Sequence, residues 1–453
     1  MSKGQPAATL SSNRRLIVIL VFLCLFLDNF SLYMLAPILD DVVTKLGVAK
    51  ERGALLYCIK PLVSLPCSLL AGKLVAKLGS LRTCGIGIVC YFICCWQHAY
   101  ATSIYAWAGA RVTQAIGSAL TVGAGMLLIR QCTDEHNRGR YMGLAFTGNG
   151  LGVFAGPLFG GLYYVRLGQS HVYGALSAVA LLQGLVCLLA AARKGPRNGS
   201  PVSTRASPEI KPVTDVHDDM VGYPREGDAI GSSLSVHSPP PPPPSPLATC
   251  RLVLAQPRML CILLAATSAC SVLGLVEPCL PALIKESLGF TDEQLALFWA
   301  SGAAVYPVMV LFGGWLSDRI PRHRLLQAGL IGFACCLPLW VVLRQRVATV
   351  WLYLALLFGL DALVDSPVQP LIASVVESLG LDAGGSIGFT LGDVGQNFGY
   401  LIGPLLSIEI EKRAHKPLYP LLIMSGWFAT VLVVVTVVFK SKTRSCRGEE
   451  ERV

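Results

Sequence analysis

Charge is scarce in this chain. Asp, Glu, Lys and Arg make up 14% of its 453 residues, against about 25% in an ordinary soluble domain. That shortage excludes a conventional water-soluble fold. No Gly-x4-Gly-Lys-Ser/Thr loop occurs in the sequence, so nucleotide hydrolysis is not the expected source of energy. The 16 cysteines lack the paired spacing of a zinc site. Many of them, including Cys84, Cys90, Cys94, Cys95, Cys335 and Cys336, fall within apolar runs and read as small apolar side chains. Neither a metal, a disulfide framework nor a cofactor is expected. No nucleophile–base constellation emerges either, so no catalytic residue is assigned and an enzyme is not expected.

Apolar residues are what the chain has in abundance: 53% of the total, with a mean hydropathy of +0.58. The net charge of +10 would suit a nucleic-acid binder, but the basic residues cluster at the ends of apolar runs, as the positive-inside rule expects of a membrane protein. The expected partner is therefore the lipid bilayer and not a nucleic acid. Runs of about 20 apolar residues, the length that crosses a bilayer, predict twelve helices. They cover 16–39, 53–76, 82–100, 104–130, 140–165 and 171–192, then 258–280, 292–316, 324–343, 348–376, 386–410 and 418–439. The first run continues through Asp28 towards Leu39 and so reads as a retained span, not a cleaved leader.

Composition divides the chain further. Residues 193–252 are rich in Ser, Asp, Glu and Arg and contain the unbroken Pro239–Pro244 run. They read as a disordered cytosolic linker, more a spacer than a dock for a proline-binding domain. The expected organisation is a tail at 1–15, a six-helix bundle at 16–192, the linker, a second bundle at 253–439 and a tail at 440–453. Arg14, Arg15, Lys73, Lys77, Arg82, Arg138, Arg140, Arg193, Arg319, Arg322, Arg324 and Lys440 all fall on one side of the spans. The rule makes that side, and both termini, cytosolic.

Six charges stand where the bilayer tolerates them least: Asp28, Lys60, Arg111, Glu277, Asp365 and Asp393 lie in or against long apolar runs. Each costs at least about 2.5–3.5 kcal/mol at mid-bilayer, so such residues face a partner or an aqueous path. The halves also correspond. Asp28 is followed by a basic loop at Gly72–Arg82 and by Gly156-Pro157; Glu277 is followed by Gly314-x-Leu-x-Asp318-Arg319 and by Gly403-Pro404. Two matching bundles around a midplane site suit a transporter that rocks one half against the other.

At these motifs the chain resembles the major facilitator superfamily, and the resemblance implies an all-α membrane protein of two pseudo-repeated six-helix bundles. Arg111-x-x-Gln114-x-x-Gly117 resembles that superfamily's fourth-helix motif, and Gly148-x3-Gly152-x3-Gly156-Pro157 its fifth-helix antiporter motif. Glycines every four residues make a flat face for close packing, so Gly156, Pro157, Gly403 and Pro404, with Asp318 and Arg319, are assigned to packing, hinge and gate.

The ordered set Leu27-Asp28-Asn29, Lys60, Asp134–Arg140, Glu277-Pro278, Tyr306, Val364-Asp365-Ser366 and Gly392-Asp393 with Tyr400 resembles the vesicular amine transporters more narrowly. That resemblance implies a proton-coupled antiporter carrying a cationic amine, such as a monoamine or acetylcholine, from cytosol into secretory or synaptic vesicles. A plasma-membrane multidrug or polyamine exporter is the alternative. Asp28 and Asn29 are expected to bind the amine, with Glu277, Tyr306 and Tyr400 around it. Asp365 is expected to carry the proton. Asp361, one turn before it, is an additional acid; two carboxylates on one face repel, and sharing a proton relieves the repulsion. Lys60 and Asp393 resemble an interhelical ion pair that sets the conformation, and Arg111 is expected to stabilise a state or proton site. Tyr33, Trp299 and Phe398 are further candidates for the wall of a cation site, with ordinary packing or interfacial anchoring as the alternative for each.

Overall fold

Helix is the only regular structure among the residues that the structure, a computed structural model, describes: 7–133, 138–193, 246–317, 319–379, 386–414 and 418–450. Its first half contributes α1 (Ala7–Tyr33, resumed after Met34 as Leu35–Lys45), α2 (Lys50–Leu78), α3 (Ser80–Ala99) and α4 (Ile104–Cys132). To these it adds α5 (Arg138–Phe159, carried on by a π-helical turn at Gly160–Tyr164 and by Val165–Leu167) and α6 (Gln169–Arg193). The second half contributes α7 (Pro257–Leu288), α8 (Asp292–Ala303 and Val305–Ser317), α9 (Arg322–Cys336, extended by Leu337–Leu339 and Trp340–Leu343) and α10 (Val347–Ser378). It closes with α11 (Ser386–Ala414) and α12 (Leu418–Glu450). The twelve-helix fold expected from the apolar runs is the fold observed.

Three boundaries differ from that expectation: α1 begins at Ala7, inside the stretch read as a tail. A short helix, Pro246–Leu254, falls inside the stretch read as linker, and α12 continues past residue 439 to Glu450. Asp318, the run Pro239–Pro244 and the rest of 194–245 lie outside the described residues.

Among the described residues, ten of the twelve helices are long and apolar enough to cross a membrane; α2, apolar only over Leu55–Ser68, and α11 fall short. The reason is local: these two helices carry Lys60, Asp393, Gln396 and Asn397 into the interior. Outward faces are apolar instead, as with Leu188 on α6 (69% exposed), Val308 and Leu311 on α8, and Val433 on α12. In water such a belt would be a liability; in lipid it is the required surface.

Prolines set the two broken helices. α1 stops at Tyr33, four residues before Pro37, and α8 stops at Ala303, four residues before Pro307. A proline ring removes its own N–H and clashes with the carbonyl four residues back, which interrupts the helix there. Each break falls beside the interior, next to Tyr33 and Tyr306 respectively.

Backbone-to-backbone seams hold the pairs together. A Cβ on Gly152, Gly156 or Gly160 of α5 would lie 2.6–2.7 Å from the carbonyl oxygens of Phe26, Phe30 and Met34, which succeed one another at four-residue steps along α1. On α11, Gly399 and Gly403 meet the carbonyls of Thr267 and Ser271 on α7 in the same manner. Only glycine permits such approach. The second seam is the pseudo-repeat of the first, and it places α1, α5, α7 and α11 around one interior space.

Candidate functional site

That space is a cavity of about 140 Å³ lined from both halves. In the first half it is organised by Asp28 on α1, which is buried. Lys60 Nζ on α2 stands 2.9 Å from Asp28 Oδ1, and Ser118 Oγ on α4 donates to Oδ2 at 2.7 Å. Behind Asp28, Arg111 donates to Gln114 Oε1 at 2.6 Å and to the Ser31 carbonyl at 3.5 Å. Gln114 in turn donates to the Asp28 carbonyl at 3.4 Å. Residues 111, 114 and 118 share one face of α4 by helical spacing, and that face is pressed against α1.

The second half supplies the remaining acids. Asp365 on α10 accepts from Gln396 Nε2 of α11 at 2.6 Å and from the Tyr306 hydroxyl of α8 at 3.2 Å. Asn149 Nδ2 on α5 donates to the Tyr306 hydroxyl at 3.4 Å, so the network reaches across both halves. Asp393 on α11 accepts from Ser68 Oγ of α2 at 2.8 Å. Asp361 lines the cavity one turn from Asp365. Four carboxylates and one ammonium therefore line the same cavity.

Further polar contacts join the halves, among them a tyrosine pair and an ion pair. Tyr33 and Tyr400 hydroxyls lie 2.8 Å apart, joining α1 to α11. At the helix ends remote from the termini, Arg166 of α5 and Glu293 of α8 form a two-pronged pair, with both N···O distances 3.0 Å.

The structure separates the predicted residues into three groups. Asp28, Asn29, Lys60, Tyr306, Asp365, Asp393 and Tyr400 all line the cavity, though the Asn29 amide is spent on the Leu25 carbonyl at 3.0 Å. Arg111 and Glu277 are both 1% exposed and sit behind the wall, not on it. Neither Glu277 oxygen meets a donor, and Arg111 Nε and Nη2 lack acceptors, among the described residues. Gly156 and Gly403 lie in the two seams; Pro157 precedes the π-helical turn of α5, and Pro404 packs on Gly274. Arg319 stacks its guanidinium 3.6 Å from the Trp315 ring centroid, away from the cavity.

Three expectations need correction. Lys60 pairs with Asp28 and not with Asp393 in this conformation. Trp299 is buried edge-on against Phe358 in the core of the second half. Phe398 is exposed on the outer face of α11. Of the aromatic candidates, Tyr33, Tyr306 and Tyr400 reach the cavity. Reading the sequence missed Ser68, Ser118, Asn149 and Gln396; small polar residues in apolar helices signal an interhelical bond only when the facing helix is known.

With the fold and cavity defined, the comparisons with known proteins follow. The Major Facilitator Superfamily model matches residues 21–404 and 278–445, and the chain belongs to that superfamily: it is a multi-pass membrane transporter. It is 22% identical to the vesicular acetylcholine transporter of Drosophila melanogaster over 87% of this chain and 67% of the relative. It is 25% identical to the synaptic vesicular amine transporter of Mus musculus over 85% of this chain and 64% of that protein. With the chromaffin granule amine transporter of Homo sapiens the identity is 24%, covering 88% of this chain and 65% of the relative. Within the superfamily, then, the chain is similar to the vesicular amine transporters, of whose length it spans about two thirds.

Proposed function

We propose that this transporter is a proton-coupled antiporter, moving a cationic amine from the cytosol into an acidic vesicle by alternating access. The observation that carries the reading is the cavity between the halves, lined by four carboxylates and by the single ammonium of Lys60. Such a wall attracts cations and repels anions. The names of the relatives, amine and acetylcholine transporters, support the same class of cargo. The distribution of basic residues supports cytosolic termini, with the Arg166–Glu293 end towards the lumen.

The incoming amine takes the place of the Lys60 ammonium on Asp28, one cation replacing another. Lys60 is then released towards Asp393, which Ser68 of the same helix already holds across the interface. A charge thereby passes from one half to the other, and that transfer couples cargo to conformation. Asp365 carries the proton, linked to both halves through Tyr306 and Asn149. Glu277 is a second carrier: an ionised carboxylate there would be a buried charge without a partner. Towards the lumen the acids take up protons and the amine loses its counter-ion. Each pH unit supplies about 1.4 kcal/mol per proton, and each net charge moved adds about 2.3 kcal/mol per 100 mV.

The test is uptake of labelled amine by proteoliposomes with an acidic interior. Accumulation that stops when a proton ionophore is added is expected; accumulation that survives the collapse overturns the coupling. Membrane fractionation of cells expressing the tagged protein separates vesicle residence from a plasma-membrane exporter.

A further inference from the structure

Asp361 is the cavity acid that the transport cycle leaves without a task. It is 5% exposed, lines the cavity, and has no hydrogen-bond or ion-pair partner among the described residues. Each of the other three carboxylates is held: Asp28 by Lys60 and Ser118, Asp365 by Tyr306 and Gln396, Asp393 by Ser68. Two turns along α10 from Asp361, Gln369 also lines the cavity, and its buried Oε1 has no donor. Residues 361, 365 and 369 share one face by their four-residue spacing. α10 thus presents a stripe of acceptors, and its two ends are unfilled.

Buried acceptors without donors are costly, so the stripe calls for a ligand rich in N–H groups. A proton brings one donor, whereas a primary ammonium brings three and a positive charge. A quaternary ammonium brings the charge with no donor. Asp28, on the opposite half, is the natural seat for one cationic group because Lys60 already holds an ammonium there. The α10 stripe is the seat for another. Size sets the separation: an engineered cavity of about 150 Å³ holds benzene, a molecule of about six heavy atoms, and this one measures about 140 Å³.

We infer that the preferred cargo is a short aliphatic diamine with two primary ammonium groups, one on Asp28 of the first half and one on Asp361 of the second. The cargo then spans the two halves, and Asp361 determines the specificity. This rests on the cation-transport reading above, and names its substrate class.

The experiment is calorimetric titration of the full-length protein in detergent, at one pH and without a gradient. The probes are 1,4-diaminobutane, 1-aminobutane and tetramethylammonium. Wild type is expected to bind the diamine most tightly and tetramethylammonium least. Asp361→Asn is expected to weaken the diamine about tenfold or more, the loss of one charge-assisted hydrogen bond, with little change for 1-aminobutane; Asp361→Glu restores the preference. Equal affinity of wild type for diamine and 1-aminobutane overturns the inference, as does an equal loss for both probes in Asp361→Asn. Should Asp361→Asn not run as a single species on size exclusion, Asp361→Ser tests the same seat: a loss confined to the diamine supports it and an equal loss overturns it. Gradient-driven uptake is measured separately, so antiport can fail while the selectivity stands, and the reverse.

Discussion

The hydroxyls of Tyr33 and Tyr400 stand 2.8 Å apart across the boundary between the two halves. Each belongs to a helix that is seamed to a partner in its own half, so this bond joins two stiff units. Residues 32–36 of α1 also contribute to the apolar core of the second half, through Leu32, Tyr33 and Ala36. The halves are thus latched on the side of the cavity towards which α1 breaks.

Removing that latch should shift the conformational balance. Tyr33→Phe deletes one hydrogen bond, worth about 0.5–1.5 kcal/mol net, and leaves the ring packing intact. Spin-label distances across the Arg166–Glu293 end should show the wider state gaining population severalfold. An unchanged distance distribution would mean that the apolar contact alone holds this end.

The Asp28–Lys60 pair should behave as a buried charge pair. Lys60→Ala strands Asp28, and a stranded buried charge costs about 3–5 kcal/mol, so thermal unfolding in detergent should begin at a clearly lower temperature. Adding Asp28→Asn to that variant should recover much of the loss. Additive losses in the double variant would show that the two side chains do not act as a pair.

Asp28→Asn and Asp365→Asn should fail differently. The first removes the counter-ion, so the affinity of the solubilised protein for a labelled monoamine should fall on the order of tenfold or more. The second is expected to retain binding and to lose accumulation driven by an acidic interior. If Asp28→Asn kept normal affinity, the counter-ion role would be lost to the second-half acids.

The glycine seams predict a contrast between neighbouring positions. Gly152→Ala would push a methyl to within 2.6 Å of the Phe26 carbonyl, and overpacking of this kind costs about 1–3 kcal/mol. Gly143, on the same helix, has nothing within 4 Å of the added carbon, so Gly143→Ala should be neutral or stabilising by about 0.5–1 kcal/mol. Unfolding temperatures in detergent of the two variants, measured side by side, decide the point.

The helices were legible because lipid imposes a length and a composition on every span. The acids were legible for the complementary reason that charge inside an apolar run is costly and so rarely incidental. The partner of Lys60 was not. A lysine side chain on α2 reaches either α1 or α11, and the choice between Asp28 and Asp393 depends on which half it leans towards in a given state. Trp299 and Phe398 were misplaced because a helix apolar on every side gives no periodic sign of which face meets lipid, core or cavity. The seam on α11 was only half visible: Gly403-Pro404 stood out, whereas Gly395 and Gly399 acquire meaning from the α7 carbonyls opposite them.

Those seams also decide where the molecule can give. Where backbone lies on backbone there is no side chain to re-rotate and no slack to absorb a displacement. A nudge at Asp28 therefore carries α5 along with α1, and one at Asp393 carries α7 with α11. Compliance is left to the boundary between the halves, where a tyrosine pair, an exposed ion pair and the Ser68–Asp393 and Asn149–Tyr306 hydrogen bonds do the holding. Fluorophores or crosslinkers meant to report the working stroke belong at that boundary, since within a welded pair they would register almost nothing.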